Sequence, residues 1–337
     1  MRVACLALAL AIASACAAPK APRVRPDEVP ADPIAFIFLE SEKARDLAER
    51  LREARGEVAS KPGVAKLDRL QRLLAGDEDV NVGMLGQPSL LDPRGETRTH
   101  LDALPPGATP LEFSADRRRL LFSSARFDHL QISELDLATG EVRVLTQGNA
   151  DHPSATRAPD GRLVYVESIS PPGVRDKLES RLFLTNASGG EARPLTPGPS
   201  DGSPRFSPDG SALVYETRDA AGRPAIALLQ PLEGTPKLVA RGREPVFSPD
   251  GQWIVYSHAL AVGHRLWRML PDGSGKLAIG EAPPETGDER HPTVSPDGRY
   301  VVYVADLEGR HFLRIRRMDG GGDRQLFDEG DGLAPVW

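Results

Sequence analysis

Five times along this chain an apolar run ends in a turn built around Asp, and a second apolar run follows at once. The clearest copies are "FSPDGSALVYE" (206–216), "VFSPDGQWIVYS" (246–257) and "TVSPDGRYVVYV" (293–304). Weaker copies are "TRAPDGRLVYVE" from Thr156 and "EFSADRRRLLFS" from Glu112. Pro and Gly flanking Asp between two β-type runs specify a tight hairpin turn. The turn aspartates stand at Asp116, Asp160, Asp209, Asp250 and Asp297, spaced 44, 49, 41 and 47 residues apart. Periods of this length are the mark of a repeat architecture.

Each copy continues with a third apolar run, a Gly-bearing turn and a fourth run. "ISELDLATGEVRVLT" (132–146) and "AIALLQPLEGTPKLVA" (225–240) are examples. Four short antiparallel strands per repeat make one blade of a β-propeller. The ends supply the count. "LAPVW" (333–337) matches the first strand of a blade, and "SLLDPRGETRTHL" (89–101) matches a third and fourth strand. Five whole blades and one shared blade give six, with the C-terminal strand closing the ring onto N-terminal strands. Closure removes the free sheet edges that promote aggregation. The expected fold is therefore all-β: a six-bladed propeller over 80–337, preceded by a short helical segment.

The repeated Pro-x-aromatic-Ser-Pro-Asp-Gly pattern, with Tyr or Phe in the second strand, resembles the TolB-like propeller repeats of bacterial export-compartment proteins. The resemblance covers about residues 80–337 and implies a binding role in the cell envelope; it does not reach residues 20–79. Tyr165, Tyr215, Tyr256, Tyr303 and Phe122 share one slot in the repeat and are expected to pack between sheets.

The N-terminal part reads differently. Arg2 followed by "VACLALALAIASAC" has one positive charge, a short apolar core and small residues, the pattern of a secretion signal over 1–16. "ASAC" resembles a lipoprotein cleavage site, which would make Cys16 the lipidated N-terminus. Cys5 is the only other cysteine, so no thiol would remain for a disulfide or metal. Residues 17–31 form a Pro-rich tether. Over 32–79, Asp32 is a candidate N-cap with Pro33 at the first helical position, and Ala44, Leu47, Leu51, Ala54 and Val58 recur at helical spacing. This segment is either a helical hairpin packed on the main domain or a partner-binding helix.

With 42 Lys and Arg against 48 Asp and Glu, the net charge is −6. That balance provides no basic face for nucleic acid. Gly198-Pro-Ser200-Asp-Gly202 has the form of a nucleophile elbow, but strands flank it on both sides where a helix should follow. Asp77, Asp79 and Asn81 mimic a calcium loop, yet Gly83 is one place late and Pro88 stands where Glu is required.

One constellation remains. The residue before the repeat proline is Thr109, His152, Ser203, Glu244, His291 and Ala334 in successive blades. Those positions should ring one mouth of the central channel, with Asp151, Asp201, Asp288, Glu289 and Arg290 nearby. His152, Glu244 and His291 are therefore the candidate ligand-binding residues. They are set against the simpler reading of a polar, solvated mouth, in which Ala at all three would cost less than about 0.5 kcal/mol. No cofactor and no catalytic residue is expected. The sequence reading is a monomeric, lipid-anchored protein on the periplasmic side of the outer membrane that binds envelope proteins. A metal-assisted propeller enzyme, or a module for cell-wall glycan or peptide, is the alternative.

Overall fold

The computed structural model describes residues 23–42, 86–95, 97–126, 129–169, 178–186, 190–261, 263–280, 287–307 and 310–337. Cys16, Asp77, Asp79 and Asn81, and most of the expected helical segment, lie outside the described residues. Six four-stranded antiparallel sheets stand around a ring as a β-propeller. Blades 1 to 5 run in chain order, with innermost strands Thr109–Phe113, Ala155–Arg157, Gly202–Phe206, Arg243–Phe247 and Gly287–Val294. Each innermost strand touches the next around the ring.

Blade 6 is shared between the two ends, as expected, but its composition corrects the sequence reading. Its innermost strand is Asp331–Val336, its second is Ile34–Leu39, and its outer two are Gln87–Leu91 and Arg98–His100. Asp32 and Pro33 thus begin a strand and not a helix, and the propeller starts well before residue 80. The physical reason lies in "IAFIFL": six apolar, largely branched or aromatic residues, every one buried, suit a strand covered on both faces. A surface helix would expose half of them.

The tether also needs correction. From Val24 onward the chain is docked on the propeller, with Val24 and Val29 buried in the core between blades 5 and 6. A short 3-10 turn at Pro26–Glu28 presents Glu28, which pairs with Arg317 at 2.5 Å and accepts the Tyr300 hydroxyl on its carbonyl at 2.9 Å.

Six hydrophobic cores fill the six seams between neighbouring blades. The repeated aromatic slot lies in them: Phe122, Tyr165, Tyr215, Tyr256 and Tyr303 are all buried. The Ser-Pro-Asp-Gly turns close one face of the ring. In blade 3 the Ser207 hydroxyl donates to the Asp209 carboxylate at 2.6 Å, the same carboxylate accepts the Ser211 N–H at 3.0 Å, and Gly210 takes φ +71°. Blade 1 carries Arg117 where the others have Gly and holds it at φ +56°.

Phe36 is fully buried against Phe327, with ring centroids 5.5 Å apart. Phe36→Ala should cost about 3–5 kcal/mol, the usual loss for a core aromatic. Chemical denaturation measures it, and a loss below about 1 kcal/mol would show that residues 34–39 do not close the ring.

Candidate functional site

The face opposite the Ser-Pro-Asp-Gly turns, here the mouth face, is where each innermost strand begins. Four of these strands read x-Pro-x-apolar: Ser203, Glu244, His291 and Ala334 each precede the proline. In all four the residue before proline has positive φ, +46°, +55°, +52° and +47° respectively. Each stands in a β-bulge. In blade 4, for example, Arg243 pairs with Ser257 and Val246 with Val255, so the inner strand has one residue more than its partner. Pro has no N–H to offer a ladder and is accommodated at bulges, while non-glycine residues at positive φ are strained by about 1–3 kcal/mol. The repeat proline therefore marks a bulge in the wall of the channel.

Charged side chains bridge this bulged wall from blade to blade. The Glu244 carboxylate takes a two-pronged contact from Arg290, with Nε at 3.0 and 3.1 Å from its two oxygens and Nη2 at 2.5 Å. It also accepts the His291 backbone N–H at 2.7 Å and the Ser257 hydroxyl at 3.1 Å. Burial opposes its ionisation, but the facing His291 and the Arg290 guanidinium hold the carboxyl well below the usual carboxylate range. One blade back, Glu216 pairs with Arg243 at 2.6 Å and accepts the Glu244 N–H at 3.4 Å. Carboxylates thus hold the strained residue of the next blade in place.

A second set of acids clasps in the other direction. Asp151, Glu289 and Asp331, at the starts of innermost strands, accept the backbone N–H of Leu130, Leu266 and His311 in the third strand of the preceding blade. The distances are 2.8, 2.9 and 2.8 Å. Asp201 turns to its own blade, accepting the Thr217 hydroxyl at 2.6 Å and the Gly198 N–H at 3.1 Å. Ser200 lies between two strands with no helix after it, as the sequence reading of that motif required.

Of the three candidate residues, the structure brings two together. Glu244 and His291 meet on blades 4 and 5, with His291 Nδ1 3.4 Å from the carboxylate. The His291 side chain is 47% exposed. His152 is elsewhere and does not line the mouth. It is only 2% exposed, its Nδ1 lies 3.0 Å from the Gln131 side-chain oxygen, and its ring packs edge-on to Tyr165 at 4.8 Å. Burial pushes its pKa down to about 4. A histidine before the repeat proline reads the same in sequence whether it faces the channel or the seam. Blade 2 differs because two extra residues separate its proline from the turn, which moves the strand start to Ala155.

Deeper in the channel, Arg205 of blade 3 reaches past blade 2 to the Leu111 carbonyl of blade 1 at 3.3 Å, while also donating to the Pro204 carbonyl at 2.8 Å. Burial pushes the nearby Glu112 carboxyl up. Among the described residues, no group of three or more His, Cys, Asp or Glu is placed to hold a metal ion. Arg290, Arg243, Glu216 and Ser257 complete the arrangement. The sequence placed Arg290 nearby, but nothing in the repeat pattern singled out the other three.

Two outcomes follow for stability. Glu244→Ala leaves the Arg290 guanidinium and the His291 N–H without their partner and should cost about 3 kcal/mol in denaturant unfolding, well above the near-neutral outcome expected of a merely wet mouth. For His152, the folded pKa lies below the ordinary 6.5, so the unfolded chain protonates first. Its contribution is intact above that ordinary value and is lost as pH falls towards 4. The gap between wild type and His152→Gln should therefore close by about 3 kcal/mol over that window. A gap independent of pH would show that His152 is not held neutral.

No protein-family model matches the chain, and no curated protein matches it. Solved structures do. TolB of Acinetobacter baumannii aligns with a TM-score of 0.65 at 18% identity, over 92% of this chain and 68% of that one. A TolB structure from Agrobacterium tumefaciens aligns at 0.57 and 23% identity, over 71% of this chain and 87% of the other. An oligogalacturonate lyase in complex with manganese aligns at 0.51 and 18% identity, over 71% and 70%. At these identities the likeness establishes the fold, a TolB-like six-bladed propeller.

Proposed function

We propose that this chain is a non-enzymatic binding protein of the bacterial cell envelope. It is held by lipid at Cys16 on the periplasmic side of the outer membrane, and as a monomer it presents its propeller surface to an envelope protein. The observation that carries the reading is the state of the mouth residues. Glu244, Arg290, Glu216, Arg243, Asp288 and Asp331 are engaged with each other, with histidines and with backbone N–H groups. They brace the ring, and a catalytic centre would have to be built from groups already committed to its walls. The TolB-like fold supports a binding role by analogy.

The manganese-bound lyase among the structural neighbours keeps a metal-assisted propeller enzyme as the second reading. It is the weaker one, because His152 sits in the seam of blades 1 and 2 while Glu244 and His291 meet on blades 4 and 5.

The anchor is tested by Cys16→Ser. Each buried acyl methylene contributes roughly 0.8 kcal/mol, and stable anchoring needs more than one chain. The variant should therefore move from the membrane to the soluble envelope fraction, where wild type is absent. Unchanged membrane retention would remove the lipid anchor from the reading. A co-purified envelope protein from detergent-solubilised membranes supports the binding role. Stoichiometric metal in the purified wild type, lost on Glu244→Ala, would favour the enzyme.

A further inference from the structure

We infer that the protein sits on its membrane with the Ser-Pro-Asp-Gly turn face towards the bilayer and the polar mouth face turned away. The inference rests on the lipid anchor proposed above and adds an orientation to it.

The starting point is where the N-terminal segment is fastened. The contacts of Val24 to Pro33 lie along the turn face. Glu28 pairs with Arg317 at the end of a blade 5 strand, at 2.5 Å, and its carbonyl accepts the hydroxyl of Tyr300, which follows the blade 5 turn, at 2.9 Å. The Asp32 carbonyl accepts the Trp337 indole N–H at 2.8 Å, and the Pro33 carbonyl accepts Arg117 of the blade 1 turn at 2.5 Å. With Val24 and Val29 both buried, this segment is part of the folded body, and the distance available to an anchor at Cys16 is counted from Val24.

That reach is short. Cys16 and Val24 are eight positions apart in the sequence. At about 3.1–3.4 Å per residue in an extended or Pro-rich chain, eight residues span at most about 27 Å. Six-residue blade strands rise about 20 Å between the faces, before any loop is counted. Bringing the mouth face to the bilayer would use nearly all of the reach simply to climb the outside of a blade. With the turn face down the distance to be covered is small, and the exposed Arg23 faces acidic lipid headgroups.

The two faces differ in what they present. Five of the seven histidines, His129, His258, His264, His291 and His311, belong to strand ends or strand starts on the mouth side. The second strand of blade 6 ends on this side at Leu39 and the third begins on it at Gln87. Anchoring by the opposite face leaves this side directed into the compartment.

The test uses the lipidated full-length protein reconstituted into vesicles that carry an acceptor dye on the lipid headgroup. A donor dye is clicked onto a noncanonical residue at Asp319, exposed in the blade 5 turn, or at Glu329, exposed on the mouth side of the same region. With the sites about 20 Å apart in height, energy transfer from position 319 should exceed that from position 329 by about twofold or more. Equal or reversed transfer in membrane-bound protein would overturn the orientation and leave the anchor standing. If the purified protein carries no lipid at Cys16 by mass spectrometry and does not float with vesicles, the anchor itself fails and the orientation falls with it.

Discussion

The fold depends on one pairing, that of Ile34–Leu39 with Asp331–Val336. Every other blade is continuous in sequence and could form by local hairpin closure. This pair joins residues some 300 positions apart and is the only step that converts a curved row of blades into a ring. Its entropic cost is that of closing a very long loop, although that cost grows only slowly with length. What offsets it is dense: six consecutive buried residues on one side, and on the other a strand followed at once by Trp337, whose backbone N–H donates to the Thr293 hydroxyl at 3.0 Å. The N-terminal strap at Val24–Val29 then covers the same seam.

Closure brings the six innermost strands together around the axis, each in contact with the next. The bulges at Ser203, Glu244, His291 and Ala334 answer this geometry. An extra residue at positive φ bends the innermost strand where the blades crowd together. The strain is carried where neighbouring blades can hold it, and the carboxylates of Glu216 and Glu244 hold it by accepting the N–H of the strained residue in the next blade. Charge at the mouth is thus first a matter of architecture. That is why a set of acids, arginines and histidines that looks like chemistry in the sequence turns out to be mutually engaged.

The repeats made most of the fold legible: the blade count, the turn geometry and the aromatic slot follow from a pattern written several times over. The second strand of blade 6 was not legible, because "IAFIFL" stands alone, with no Asp-Gly turn beside it and with a helical-looking stretch immediately after. Single-sequence periodicity cannot tell a fully buried strand from the first turn of a buried helix. The candidate site was legible in part. Proline spacing singled out Glu244 and His291, which meet across blades 4 and 5, but it did not show that His152 is buried, since blade 2 inserts two residues between its proline and its turn. Arg243 and Glu216 carry no repeat signature at all; they are visible only once blades are side by side.

The division of labour between faces follows from these constraints. On the turn face, blades 1 to 5 all place Asp at the tight turn and blades 3 to 5 carry the full Ser-Pro-Asp-Gly, so its sequence is consumed by turn chemistry and by the strap. The mouth face is bound by fewer rules: the sequence between second and third strands runs from two residues in blade 1 to 47 in blade 6. Variation is tolerated where loops join strands and not where a tight turn demands particular φ values. If Cys16 anchors the chain as proposed, the face held towards the membrane is the one whose sequence the turns and the strap already constrain.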